Sequence, residues 1–286
     1  MMFKDNDLIK ANLNIQRNIS TIENIMEGEF LFGAIGGSFA LGLQNSASDI
    51  DFFALFNNCS FEKVKKVEID ILGINNEKCK MDCIGINYHR VLDEIRCYEM
   101  KWKRYPTKLN YTEKEKIENV GRKDIERPDF IRSAFYRIIL ADEVVGKNRM
   151  QEELKGNSLN IRGVDIIDYY FSCLYGNYTE YIVGRKKVSL RKYLYCIHQI
   201  LICKWLINNR SKPRMNFVEL LRNFDIDEYI VDKIMHLYKE NQESVCHKEG
   251  LMTEKDEILN GYISEEIVII REMLQKGSIN YIYTLA

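Results

Sequence analysis

The sequence predicts an α+β fold in which a small mixed β-sheet core is followed by a C-terminal helical bundle. Three observations carry that expectation. Short apolar runs with strand-like alternation crowd residues 30–86, helical periodicity dominates after about residue 112, and an amphipathic helix precedes both. A chain of 286 residues has room for two ordinary domains, which we place at 1–112 and 113–286.

Residues 7–27, DLIKANLNIQRNISTIENIME, set Leu8, Ile9, Leu13, Ile15, Ile19, Ile22 and Ile25 near helical spacing, with Gly28 as the stop. FLFGAIGG reads as a buried strand entering a tight turn, and DIDFFALF as a second strand. Between them, SFALGLQNSAS has room for one or two helical turns and a polar loop. From 64 to 86, Val67, Ile69 and Ile71 alternate with charged neighbours. INN marks a turn, and Cys79, Met81 and Cys83 then alternate with Lys80, Asp82 and Ile84, which is the pattern of a hairpin. Helices are expected in IIDYYFSCLYGNYTEYIVG, VSLRKYLYCIHQILICKWLINN, NFVELLRNF, DEYIVDKIMHLYKENQ and TEKDEILNGYISEEIVIIREMLQK. Several open on Asp, Asn or Thr, and the pair Asp225 and Asp227 reads as one such N-cap. Pro106, Pro128 and Pro213 fall in linkers or between these helices.

With 46% hydrophobic residues the chain can bury a real core, and its net charge of −1 provides no global positive field for nucleic acid. The eight cysteines include no CxxC pair and several sit in apolar runs, so we expect reduced, buried thiols in a cytoplasmic protein. A zinc site from Cys79, Cys83, Cys246 and His247 is disfavoured by its spacing. The N-terminus lacks an apolar targeting core and no apolar run is long enough to span a membrane, so no membrane partner is expected.

The chemistry concentrates in GGSFALGLQNSASDIDFF, residues 36–53. Strand alternation puts Asp49 and Asp51 on one face, roughly 6–7 Å apart at their Cα atoms. Two like charges held so close are costly unless protonated or bridged by a cation, which points to Mg²⁺ with phosphate oxygens completing its shell. Gly36, Gly37 and Ser38 fit the same picture: glycine lets backbone N–H groups approach a phosphate, and a helix starting at Ser38 would aim its positive end there. A third carboxylate would let two metals sit together. Asp82 is the candidate because it stands among Met81, Cys83 and Ile84, with Asp70 the fallback.

Gly37-Ser38, ten residues, then Asp49-Ile50-Asp51 resembles the active-site motif of the DNA polymerase beta superfamily of nucleotidyltransferases. The resemblance implies a two-metal site using Mg²⁺, with Mn²⁺ as a substitute, in which the Gly37-Ser38 turn holds phosphates and Asp49, Asp51 and Asp82 bind the ions. A second stretch, RKYLYCIHQILICKWLINNRSKPRMNFVELL (191–221), is similar to the helix and loop that follow the core in YcgL-like predicted nucleotidyltransferases, including the RNA-ligase-associated branch. Lys192, Tyr193, Tyr195, Trp205, Pro213, Phe217 and Leu220 carry that similarity. Lys192, Tyr195 and Arg185 join the nucleotide-binding set: in RKKVSLRK the basic side chains can balance a pyrophosphate leaving group.

The expected reaction is therefore transfer of a nucleoside monophosphate from an NTP, with ATP the expected donor, to an acceptor hydroxyl on RNA, a small molecule or a protein. KWKRYPTK (101–108) adds basic residues with Trp102 and Tyr105 for stacking on an RNA acceptor. Two rivals stand beside it. One is a HEPN-like ribonuclease using Arg191 and His198, although His198 lies among Ile197, Ile200 and Leu201 and reads first as a core residue. The other is a non-catalytic NTP-binding sensor or toxin–antitoxin component.

Overall fold

The computed structural model describes residues 5–45, 48–72, 78–96, 128–156, 161–244, 251–276 and 282–283. The expected domain boundary near 112, the 101–108 segment, and Cys97, Cys246 and His247 lie outside the described residues.

The amphipathic N-terminal segment forms two helices, α1 (Asp5–Arg17) and α2 (Ile19–Met26), where one was expected. The break falls at Asn18, whose side-chain amide donates back to the Asn14 carbonyl at 2.7 Å. The stop is also shifted, because Glu27 takes the left-handed conformation with φ of 54°. Gly28 is needed for close approach instead: a Cβ there would lie 2.6 Å from the Cys59 Cβ.

Four strands follow: β1 (Glu29–Ile35), β2 (Ile50–Asn57), β3 (Val64–Leu72) and β4 (Lys78–Asn87). They form a mixed sheet in the order β1-β2-β4-β3, with β2 and β4 parallel and the outer pairs antiparallel. The expected hairpin is β3–β4, running from Val64 opposite Ile86 to Leu72 opposite Lys78. Alternation divides the sheet. Phe52, Phe56, Met81 and Cys83 pack with Ile15, Ile22 and Met26 of α1 and α2, whereas Phe53, Leu55, Ile84 and Ile86 join the helical core.

That helical core is built from α4 (Tyr88–Arg96), α5 (Pro128–Leu140), α6 (Lys147–Gly156), α7 (Gly163–Tyr181), α8 (Leu190–Asn209), α9 (Phe217–Leu221), α10 (Glu228–Glu243) and α11 (Glu257–Gln275). Helix α8 is apolar nearly all round and is its axis, as a helix enclosed by others must be. Asn216 and Asp227 cap α9 and α10 as expected, each accepting two backbone N–H bonds, whereas α11 is capped in the same way by Asp256 rather than opening at Thr253. Two short ladders were not anticipated. Strand β5 (Ile161–Arg162) pairs with β8 (Ile282–Tyr283), and β6 (Lys187–Ser189) with β7 (Met252–Glu254), which shortens the last predicted helix at its start.

Cys59, Cys83, Cys173, Cys196 and Cys203 are free, the last two buried in α8. Among the described residues no helix is long and apolar enough to cross a membrane.

Candidate active site

The end of β1 turns through Gly36 into α3 (Gly37–Ala40), a single helical turn. Four residues are too few to build a macrodipole, so the turn offers backbone N–H groups rather than the helix end expected from the sequence. Gly37 has φ of +59°, and a Cβ on it would overlap the Asp51 carboxylate. Backbone pairing fixes that approach, since Gly36 N–H donates to the Asp51 carbonyl at 2.7 Å. Glycine is thus required at 37 both for its dihedral and for the carboxylate beside it.

Asp51 and Asp82 stand directly opposite each other on the parallel strands β2 and β4, and so project from the same face. Asp49 precedes β2 and interacts electrostatically with Asp51. Burial pushes the Asp51 carboxyl above its ordinary value, and the charges of Asp82 and Asp49 push it further. Arg137 and Lys66 oppose this. Lys66 also makes an ion pair with Asp82 at 2.7 Å. Asp70 lies on the outer strand β3 opposite Lys80, away from β2, so the geometry favours Asp82 as the third carboxylate.

A build-up of negative charge that burial makes costly is what a divalent ion relieves, and the paired carboxylates of Asp51 and Asp82 fit one. The set is not fully gathered: among the described residues no three acidic, imidazole or thiol groups converge on a single point. Lys66 meanwhile holds the Asp82 carboxylate with its own cation.

Asp51 opens onto a cavity of about 340 Å³ between the sheet end and α5, α7 and α8, large enough for a small-molecule site. Gly37, Lys192 and Tyr195, all expected from the sequence, line it. Lys192 donates to Asn177 Oδ1 at 3.1 Å, lies 3.7 Å from the Tyr181 ring centroid, and has its pKa lowered by burial. Burial also raises the Tyr195 phenol, on which Asp51 and Arg191 both act electrostatically. Ser38 is buried just behind the lining, its carbonyl accepting from Leu43 N–H at 2.8 Å. Arg185 is not brought to the cavity; it is exposed in the α7–β6 connection and donates to the Glu180 carbonyl.

Arg137 of α5 was missed. It lines the cavity, donates from Nε to the Tyr169 hydroxyl at 2.7 Å, and lies over the Phe53 and Tyr169 rings at 5.2 and 6.0 Å. The available signal was a lone basic residue inside the apolar run AFYRIIL.

Arg191 and His198 are each held in structural bonds, although His198 also borders the cavity. Arg191 donates to Asn45 Oδ1 at 2.9 Å and Ser48 Oγ at 3.0 Å, tying α8 to the loop before Asp49. His198 is buried, pairs with the Met215 carbonyl at 2.8 Å and stacks on Phe217, and burial lowers its pKa to about 4. This is the geometry of a core histidine.

Residues 141–276 match the family model described as RlaP: RNA repair pathway DNA polymerase beta family. Comparison with curated proteins finds no match. The match covers most of the helical part and excludes the Gly-Ser turn and the aspartates, so it is independent of the motif in the sheet.

Proposed function

We infer that the chain, whose residues 141–276 match a polymerase beta family model, transfers a nucleoside monophosphate from an NTP, ATP first among them, to an acceptor hydroxyl. The acceptor oxygen bonds to the α-phosphorus, the α–β phosphoanhydride breaks, and pyrophosphate leaves with the electron pair. The observation that carries this reading is one cavity joining a desolvated, glycine-backed Asp51, in register with Asp82, to cationic Lys192. The family's description speaks of RNA repair and so favours an RNA end as acceptor.

Asp49, Asp51 and Asp82 are the residues that would hold Mg²⁺, which when bound neutralises phosphate charge and makes a hydroxyl more acidic. Gly37 gives the phosphates access to backbone N–H groups, with Ser38 behind it. Lys192 stands where it can balance the charge of the leaving group, and Tyr195 closes the wall near Asp51. Asp82, once released from Lys66, is the carboxylate assigned to activating the acceptor.

The test is incubation of the protein with each α-labelled NTP, Mg²⁺ and RNAs of defined ends, scoring label on RNA and free pyrophosphate. Label is expected on RNA with wild type and is expected to fall by two orders of magnitude or more, about the span of a transition-state charge contact, in Asp51→Asn. Undiminished labelling by Asp51→Asn would sink the reading.

A further inference from the structure

We propose that Arg137, aimed by Tyr169, is the residue that grips the polyphosphate of the nucleotide. The proposal rests on the nucleotidyltransferase reading above and adds to it a binding residue outside the sequence motif.

The first argument is the environment of the guanidinium. Its neighbours on α5, from Ala134 to Tyr136 and from Ile138 to Leu140, are all buried in the main core, and among the described side chains of the helix Arg137 is the one that lines the cavity. Arg137 is exposed and is among the residues that line the cavity. Tyr169, the strongest influence upon it, and the Cys173 thiol against it are neutral partners. Among the described residues no carboxylate forms an ion pair with it, and Asp51, which also lines the cavity, feels its charge. A guanidinium that solvent can reach and that no carboxylate pairs is open to an anion entering the cavity, and a ligand can supply one.

The second argument is orientation. The bond from Nε to Tyr169 and the stacking over Phe53 hold the plane of the group by its inner edge. The outer fork, with its paired N–H donors, then meets whatever fills the cavity, and that fork suits the bidentate geometry of phosphate. Lys192 supplies a second desolvated cation from α8. Two cations on different helices, facing a turn with accessible backbone N–H groups, call for a ligand carrying several negative charges in a row. A triphosphate meets that requirement, whereas a nucleoside does not.

The experiment is calorimetric titration, in Mg²⁺ buffer, of wild type, Arg137→Ala, Arg137→Lys and Tyr169→Phe with ATP, inorganic tripolyphosphate and adenosine. Wild type is expected to bind ATP and tripolyphosphate. Arg137→Ala should lose on the order of 10- to 100-fold for both, the span of a charge-assisted bond pair, with no change for adenosine. Arg137→Lys keeps the charge and the stem and should recover only part. Tyr169→Phe should lose about 5-fold, selectively for the two phosphate ligands, because the fork is no longer aimed. If Arg137→Ala does not fold, the Lys and Phe variants decide by the same selectivity. Wild type binding ATP with all three variants equal to it would overturn the proposal and leave the nucleotidyltransferase reading intact. Wild type binding neither ATP nor tripolyphosphate would overturn both.

Discussion

Gly37→Ala puts the central geometric claim at risk with a single methyl group. The backbone at 37 has φ of +59°, where a Cβ costs about 1–2 kcal/mol. The same Cβ would lie 3.0 Å from Asp51 Cγ and 3.4 Å from Asp51 Cβ, and would overlap the carboxylate oxygen outright. Asp51 must therefore leave its rotamer, at a further ~0.5–1.5 kcal/mol. The sum is a loss of about 1.5–3.5 kcal/mol of stability, together with a carboxylate displaced by about 1 Å, a shift able to cost on the order of 100-fold in turnover. Urea denaturation measures the first, and release of pyrophosphate from labelled NTP with RNA measures the second. Gly36→Ala is the control. Position 36 is extended, with φ of −114°, and a Cβ there would meet the Phe53 ring rather than Asp51. It should cost stability while leaving the Asp51 carboxylate in place, and so cost less activity. A Gly37→Ala protein with wild-type stability and wild-type turnover would show that the turn and the carboxylate do not touch as described.

Two further outcomes follow from His198 and Lys66. Because burial lowers His198 from 6.5 to about 4, the unfolded chain takes up a proton that the folded protein refuses between those values. Stability from this group is therefore intact above pH 6.5 and lost as pH falls toward 4, by up to about 1.4 kcal/mol per pH unit; urea curves across that range should show this slope reduced in His198→Asn, and equal slopes would contradict the buried, neutral ring. Lys66→Met removes the cation that pairs with Asp82, so Mn²⁺ binding followed by electron paramagnetic resonance should tighten. Lys66 is half exposed and such pairs are worth ~1 kcal/mol at most, so the gain is about 5-fold or less, and weaker Mn²⁺ binding would show that Lys66 supports the carboxylates instead of competing for one.

The sheet was legible because its signals are local. Alternation in 64–86 sets both the hairpin and its register, and a strand ending in Gly-Gly-Ser before Asp-x-Asp leaves little freedom for the turn. The pairing of Asp51 with Asp82 was only partly legible, because a parallel β2–β4 contact is a tertiary choice that neither strand encodes alone. Arg185 and Lys192 show why a basic run is a blunt signal. RKKVSLRK is cut by β6, which leaves Arg185, Lys186 and Lys187 in solvent, while Lys192 lies inside the first turn of α8 and faces the cavity. Arg137 was hidden for the opposite reason, as the one charge in the apolar run AFYRIIL, which reads as core until the neighbouring helices are in place.

The two independent signs of family, a motif in the sheet and a match in residues 141–276, meet physically in the spacer between Gly37-Ser38 and Asp49. Among its described residues that spacer forms no ladder, and several of its backbone carbonyls are satisfied by the helical part. Phe217 N–H donates to the Leu41 carbonyl at 2.8 Å, Tyr238 and Gln242 donate to the Gly42 carbonyl, and buried Asn241 donates to the Leu43 carbonyl at 2.9 Å. Arg191 and Ser244 then hold Asn45. Buried backbone carbonyls must find donors, so these residues of α8, α9, α10 and the start of the following segment determine where the spacer runs. The spacer in turn sets how the glycine turn sits against Asp51. The helical part thus helps to shape the turn as well as to wall the cavity, which explains why a family signal can reside in residues that include none of the aspartates.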